Sequence, residues 1–343
     1  MDAESLFPLE ETSYYMDRIN ENSVVDLSVV IPVYNAMPLL ERCLDSVFGQ
    51  TTRYAVEVIL VDDGSTDASV DYIRSRKEPN LVLHRQANAG PAAARNKGVE
   101  LAQGRYCAYL DADDYWMDGY VEQTVAFLDA HADCVAVTVG QRHRTVSGET
   151  VAPYEWMQTA QEAFVVDDFY ERWAGNQFVG TCSTTMRKNA VNQMDGQRTD
   201  LRVTEDWEFW LCLAACGRWG FIPNLLYVSD GTDLTTNRRQ WLAKMERRWQ
   251  NAPSVGEWER RVVARLPQPL PEGYLKARGR IARNLAYCQL LSGRESLARQ
   301  EALAYGDYFT RDAIGRLMRL ARRNALLWHG LCRFLRYREY HRF

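Results

Sequence analysis

Over the first 140 residues, short and nearly continuous apolar runs alternate with stretches of helical periodicity. Leu27–Val33, Val56–Val61, Leu81–His84 and Arg105–Leu110 have strand length, and Val135–Val139 repeats the signal. Between them Pro38–Gln50, Thr66–Arg76, Pro91–Ala102 and Val121–His131 space their apolar residues three and four apart, as helices do. Strands apolar on successive positions and separated by helices predict a mostly parallel sheet with helices on both faces. From Gln240 onward the strand signal stops. Tyr274–Leu291 and Ser296–Tyr305 read as a helix pair around Ser292-Gly293. The stretch from Ala313 to Leu335 reads as one amphipathic helix carrying Leu317, Leu320, Ala321, Leu327, Trp328, Leu331 and Leu335 among arginines. The expected organisation is an acidic segment (1–26), an α/β domain (27–238) and a helical region (239–343).

Charge changes this picture at one end only. The chain of 343 residues has a formal net charge of −4, which argues against nucleic acid as a partner. Eight arginines face a single acid, Glu339, between Ile314 and Phe343, so that stretch carries +7 and the rest −11. A basic amphipathic helix with Trp over residues 313–338 suits an anionic membrane interface, or packs on the body with a solvated basic face. No apolar stretch approaches the roughly 20 residues of a membrane span, and no secretory leader is visible. The expected location is cytoplasmic, peripheral on the membrane's cytoplasmic face. The eight Cys are scattered in apolar runs and read as buried free thiols.

Candidate chemistry gathers where the strands end. In a parallel sheet, ligands bind beyond the carboxyl ends of the strands. Strand one runs into Pro32-Val33-Tyr34-Asn35, strand two into Asp62-Asp63-Gly64-Ser65-Thr66-Asp67, and strand four into Asp111-Ala112-Asp113-Asp114. Residues two apart on a strand share a face, so Asp111 and Asp113 form a candidate oxygen-only site for Mg²⁺ or Mn²⁺; Asp114 reads as a bystander. The same residues also suit a plain turn and helix cap. Tyr34 offers a ring on which a base can stack and Asp63 an acceptor for a base N–H, while Arg95 is a planar cation for phosphate.

Taken together, Ile31-Pro32-Val33-Tyr34-Asn35, Val61–Asp67, Ala93-Ala94-Arg95-Asn96 with Gly98, and Asp111-Ala112-Asp113 resemble the family 2 glycosyltransferases. The resemblance covers roughly residues 27–230. It implies an inverting enzyme of GT-A fold, with a nucleotide-binding half (27–115) and an acceptor half (116–238). It implies a nucleotide-diphosphate sugar donor, most often a UDP-sugar, and a glycan or lipid-linked acceptor. Pro32, Tyr34, Asn35 and Asp63 would hold the base, Arg95 would lie on the nucleotide side, and Asp111 would reach the ribose or a metal-bound water. Asp113 would ligate Mn²⁺ or Mg²⁺. In Thr204-Glu205-Asp206-Trp207, Asp206 falls at the family's base position beside Glu205, and Trp207 is a candidate wall for the acceptor. Trp210 suits core packing equally.

Two departures accompany the resemblance. Where relatives carry Gly-Gly-Phe-Asp, this chain has Met194-Asp195-Gly196-Gln197, and where they carry Tyr-Arg-x-His it has Tyr227-Val228-Ser229-Asp230. Asp230 would then stand in for the His, with Thr235 and Thr236 near phosphate. The competing class is a catalytically inactive sugar-nucleotide-binding or scaffold protein of the same fold; the full set of acids counts against it.

Overall fold

A computed structural model describes residues 14–15, 24–151, 160–176, 178–201, 205–231 and 238–341. Thr204, Thr235, Thr236 and most of the acidic N-terminal segment lie outside the described residues. Two compact units emerge: Met1–Val166 with Val179–Thr199 and Cys216–Asp233, and Asp167–Phe178 with Asp200–Ala215 and Leu234–Phe343.

The first unit is built on an open sheet. Its parallel core is β2 (Leu27–Val33), β3 (Val56–Asp62), β4 (Leu81–Arg85) and β5 (Tyr106–Tyr109), in the order β4-β3-β2-β5. A two-residue β1 (Tyr14–Tyr15) pairs antiparallel with the outer edge of β4. Helices α1 (Leu40–Phe48), α2 (Ser69–Ser75) and α3 (Pro91–Leu101) supply the crossovers. Alternate residues of β3 explain the continuous apolar run: Val58 and Leu60 join the larger core cluster, Ile59 and Val61 the smaller one with Ala94 and Ala102. Both faces are covered over Val58–Val61, which is apolar throughout, while buried Glu57 near the strand's start is satisfied by Ser28 Oγ at 2.5 Å.

Beyond β5 the sheet becomes mixed. β10 (Thr184–Arg187) lies antiparallel between β5 and β7 (Cys134–Thr145), and β11 (Arg218–Asp230) runs parallel to β7. A short β6 (Tyr115–Trp116) closes on Tyr227 and Val228, while β8 (Gly148–Val151) and β9 (Phe164–Val166) pair at the margins. Helix α4 (Tyr120–Ala130) packs on β7, and a short α6 (Lys188–Asn192) follows β10.

The second unit is helical. α10 (Tyr274–Leu291) buries Tyr274, Ala277, Ile281, Leu285 and Leu290 among α5 (Phe169–Asn176), α7 (Glu205–Ala214), α8 (Arg238–Gln250), α9 (Val255–Val263) and α11 (Glu295–Tyr305). Two stretches inside the expected 27–238 domain, those carrying α5 and α7, therefore cluster with the C-terminal helices.

The stretch expected as one helix over 313–335 is two, α12 (Ala313–Ala321) and α13 (Ala325–Tyr340). Asn324 breaks it, because its side chain accepts from the Leu326 and Leu327 amides and starts a new helix. All eight cysteines are free and Cys216 alone is exposed. Among the described residues no helix is long and apolar enough to cross a membrane.

Candidate functional site

The carboxyl ends of β2, β3 and β5 lie side by side in the sheet, so the segments that follow them form one edge of the first unit. Asn35 adopts φ 50°, and its side-chain oxygen accepts from the Thr66 amide at 2.8 Å and the Asp67 amide at 3.3 Å. Its own amide donates to Ser65 Oγ. Asn is among the few residues that tolerate this left-handed backbone, and here it ties the end of β2 to the turn after β3. Tyr34, just before it, is 55% exposed and presents its ring at this edge.

Asp62 and Asp63 are both buried, and each organises a turn. Asp62 accepts from the Ser65 amide and pairs with Arg85 at 3.0 Å. Asp63 accepts from Gln86 Nε2, the Ala89 amide and the Gly90 amide, each at 2.8 Å. A carboxylate has about four acceptor positions, so these three donors leave room for one more N–H. Gly90 takes φ 92°, a conformation that favours glycine, and Pro91 then opens α3.

Strand β5 ends at Tyr109, and Asp111–Asp114 is a turn closed by the Asp114 amide on the Asp111 carbonyl at 3.0 Å. This corrects the expectation that strand alternation aims Asp111 and Asp113 the same way. The turn instead brings Asp111 to Asp114: their carboxylate oxygens and Cys182 Sγ all lie within 4.8 Å of one another. Asp113 is exposed on the turn.

Asp114 is no bystander. It is 7% exposed and accepts from Tyr227 Oη at 2.5 Å and from the Asp230 amide at 3.0 Å. Burial, and then the Asp111 charge, push its carboxyl up to about 7. The neighbouring Cys182 thiol is driven well above its usual range by burial and then by Asp111, so it stays protonated.

Arg95 was expected on the nucleotide side. It is 8% exposed and meets Asp111 at 2.6 Å and Gln197 at 3.4 Å, with its guanidinium over the Tyr109 ring. Its visible work is to fix the Asp111 carboxylate. Next to it, Asn96 exchanges two hydrogen bonds with the Gln197 backbone, both 2.7 Å. A β-carbon at Gly196 would sit 2.6 Å from Asn96 Oδ1, so the Gly196-Gln197 stretch docks tightly on α3.

Asp230 is buried and pairs with two cations. Arg42 reaches its carboxylate at 2.7 Å and Arg144 at 3.4 Å. Arg42 also donates to the Asp113 carbonyl and lies over the Tyr115 ring, whose hydroxyl takes a bond from Arg144. Arg42, Arg144 and Cys182 carried no signal in the sequence, because their partners at the site lie from 29 to 188 positions away.

In the second unit, Asp206 and Trp207 are half-buried on the first turn of α7, and the side chain of Glu205 lies outside the described residues. Negative charge in a first helical turn is favoured by the helix dipole. Trp207 packs edge-on against Trp173, ring centroids 5.4 Å apart. Trp210 is fully buried and belongs to the core, while Glu208 pairs with Arg265.

The donor set suits a hard cation that shares its coordination with phosphate. Asp111 and Asp113 offer oxygen and are at least partly open to solvent. Cys182 is soft and protonated and Asp114 is committed to Tyr227, so these two are poor ligands for Mg²⁺ or Mn²⁺.

The model of the family described as Glycosyl transferase family 2 matches residues 28–192. The "Uncharacterized glycosyltransferase YibD" of Escherichia coli (strain K12) is 47% identical over 95 residues, which are 27% of this chain and 27% of that protein. The "Putative teichuronic acid biosynthesis glycosyltransferase TuaG" of Bacillus subtilis (strain 168) is 31% identical over 194 residues, 56% of this chain and 73% of that one. The chain thus spans about a quarter of the first relative and nearly three quarters of the second. Among solved structures, S. aureus TarS 1–349 in complex with UDP-GlcNAc superposes with a TM-score of 0.61 at 18% identity, over 92% of this chain and 91% of that one. The mannosyltransferase PcManGT from Pyrobaculum calidifontis, in complex with GDP-Man and Mn2+, gives 0.54 at 19% identity, over 92% and 86%. At these identities the likeness is one of fold: GT-A with a helical C-terminal region.

Proposed function

Because the chain belongs to glycosyltransferase family 2, we propose that it moves a sugar from a nucleotide-diphosphate sugar to a hydroxyl of a glycan or lipid-linked acceptor, with inversion. The observation that carries this reading is the shared edge of β2, β3 and β5, where an exposed Tyr34 ring, the Asp63-organised loop and the Asp111–Asp114 turn meet. The UDP-GlcNAc bound by TarS and the GDP-Man bound by PcManGT support a nucleotide-sugar donor, and a UDP-sugar is favoured. The teichuronic acid role in TuaG's name supports an envelope-polymer acceptor.

In this reading Tyr34 stacks on the base, and Asp63 uses its remaining acceptor position for the ring N–H. Pro32 and Asn35 shape the same end of β2. Arg95 holds Asp111 toward the ribose. Asp113 would hold Mn²⁺ or Mg²⁺, with Asp111 reaching the ribose or a metal-bound water; the ion when bound neutralises charge on the departing diphosphate. Asp206, with Glu205 beside it, takes the proton of the acceptor hydroxyl as its oxygen attacks the anomeric carbon. The C–O bond to the sugar forms on the face opposite the one from which the nucleoside diphosphate leaves. Trp207 offers a wall for acceptor C–H surfaces.

Release of UDP from a panel of UDP-sugars, with Mn²⁺ and the purified chain, tests the proposal. Asp113→Ala should slow release at least a hundredfold. Asp206→Ala should keep UDP binding by calorimetry while transfer falls 10²- to 10⁴-fold, the usual range for a lost general base. Equal and very slow release by wild type and Asp113→Ala would instead favour the inactive binding protein. Loss of UDP binding in Asp206→Ala would remove that residue as base.

A further inference from the structure

The two C-terminal helices turn an apolar stripe outward as well as one inward. On α13 the inward side carries Trp328, Cys332, Leu335 and Glu339, all buried. On the opposite side Leu326, Leu327, Gly330, Arg333, Phe334 and Tyr337 follow one another at spacings of one and three, a single helical stripe. Leu326 is 85% exposed, Leu327 61%, Phe334 54% and Tyr337 65%. On α12, Met318 and Ala321 point inward while Leu320 is 77% exposed. Large apolar side chains grouped in this way mark an interaction surface, whereas single ones do not.

Charge selects the occupant. The side chains of Arg316, Arg323 and Arg333 are exposed and make no hydrogen bond or salt bridge among the described residues. The acids near them are already neutralised: Asp307 by Arg322, Asp312 by Arg283, Glu295 by Arg336, and buried Glu339 by Arg338. A two-fold contact with a second copy would set this arginine-rich face against itself. We propose that α12 and α13 lie on an anionic lipid bilayer, with the Leu326-Leu327-Phe334-Tyr337 stripe seated at the headgroup boundary and the three arginines on lipid phosphates. Sixteen residues give α13 a length of about 24 Å, ample for a helix lying in the plane of the interface. This proposal stands independently of the transferase reading.

Co-sedimentation of the full chain with vesicles tests it, comparing pure phosphatidylcholine with a mixture containing phosphatidylglycerol, at low and high salt. Binding should favour the anionic vesicles at least tenfold and weaken with salt. Arg316→Gln, Arg323→Gln and Arg333→Gln together should remove that preference. Leu326→Ser, Leu327→Ser and Phe334→Ser together should cut binding at least tenfold, with an unchanged melting curve because all three are exposed. The proposal is overturned if the chain ignores anionic vesicles at low salt or if the serine variant binds like wild type. A dimer in light scattering that the serine variant dissociates would overturn it too, by making a second copy the occupant.

Discussion

A β-carbon at Gly98 would lie 2.1 Å from Cγ1 of Val30, far inside any real contact. At this point α3 rides directly on β2, and Arg95 stands one turn earlier on the same helix. Gly98 therefore sets how close the guanidinium comes to Asp111, which gives a steric reason for its place in the motif around Ala93-Ala94-Arg95-Asn96. Gly98→Ala should destabilise the chain by about 1–3 kcal/mol, the usual cost of overpacking, and weaken UDP binding through Arg95. Adding Val30→Ala should restore part of both, as read by denaturant midpoints and calorimetry. A Gly98→Ala variant as stable as wild type would mean that the helix does not sit this close. The sequence exposed the acids of the site but not their division of labour. Asp113 and Asp114 look alike in a row of letters; only the turn shows one exposed and the other buried against Tyr227.

At the scale of elements, caps decide where the C-terminal helices start. Asp312 accepts from the Gly315 amide at 3.0 Å and pairs with Arg283 at 2.7 Å. Burial raises its carboxyl, but the Thr310 hydroxyl, the Gly315 amide and Arg283 outweigh burial and hold it at about 2. A depressed carboxyl stabilises the fold above its ordinary value near 4 and loses that contribution as the pH falls toward 2. Asp312→Ala should therefore cost about 1 kcal/mol at pH 7, the usual worth of an N-cap. The two melting curves should draw together between pH 4 and pH 2; a gap independent of pH would mean that the carboxylate charge plays no part. The parallel strands were legible because burial on both faces leaves continuous apolar runs, and α10 was legible over its full span, Tyr274–Leu291. The antiparallel direction of β10 was not, since a period of two carries no direction. Nor was the break at Asn324, because the apolar residues on either side continue with helical spacing.

For the whole molecule, the grouping of α7 matters most. By sequence it belongs to a 27–238 domain; in the structure its apolar face packs with the C-terminal helices. The Leu211 carbonyl accepts from Tyr170 Oη at 2.8 Å, Glu208 meets Arg265, and Trp210 and Leu213 are fully buried. Tyr170 in turn packs on Tyr274 of α10. A chain truncated after residue 238 would keep the Tyr170–Leu211 bond but strip Glu208 of Arg265, Tyr170 of Tyr274 and α7's apolar face of the C-terminal helices. Burying a large apolar side chain is worth roughly 1.5–3 kcal/mol, so several lost at once exceed what a short ten-residue helix can bear alone. The truncated chain should bind a hydrophobic dye, be cleaved by protease within 167–178 and 200–215, and retain the sheet's own cooperative melt. Under the proposed mechanism it should also still bind UDP while losing transfer, because Asp206 goes with α7. A truncated chain that resists protease across 205–214 would show that α7 folds without the helical unit, and its grouping with the C-terminal helices would not be what stabilises it.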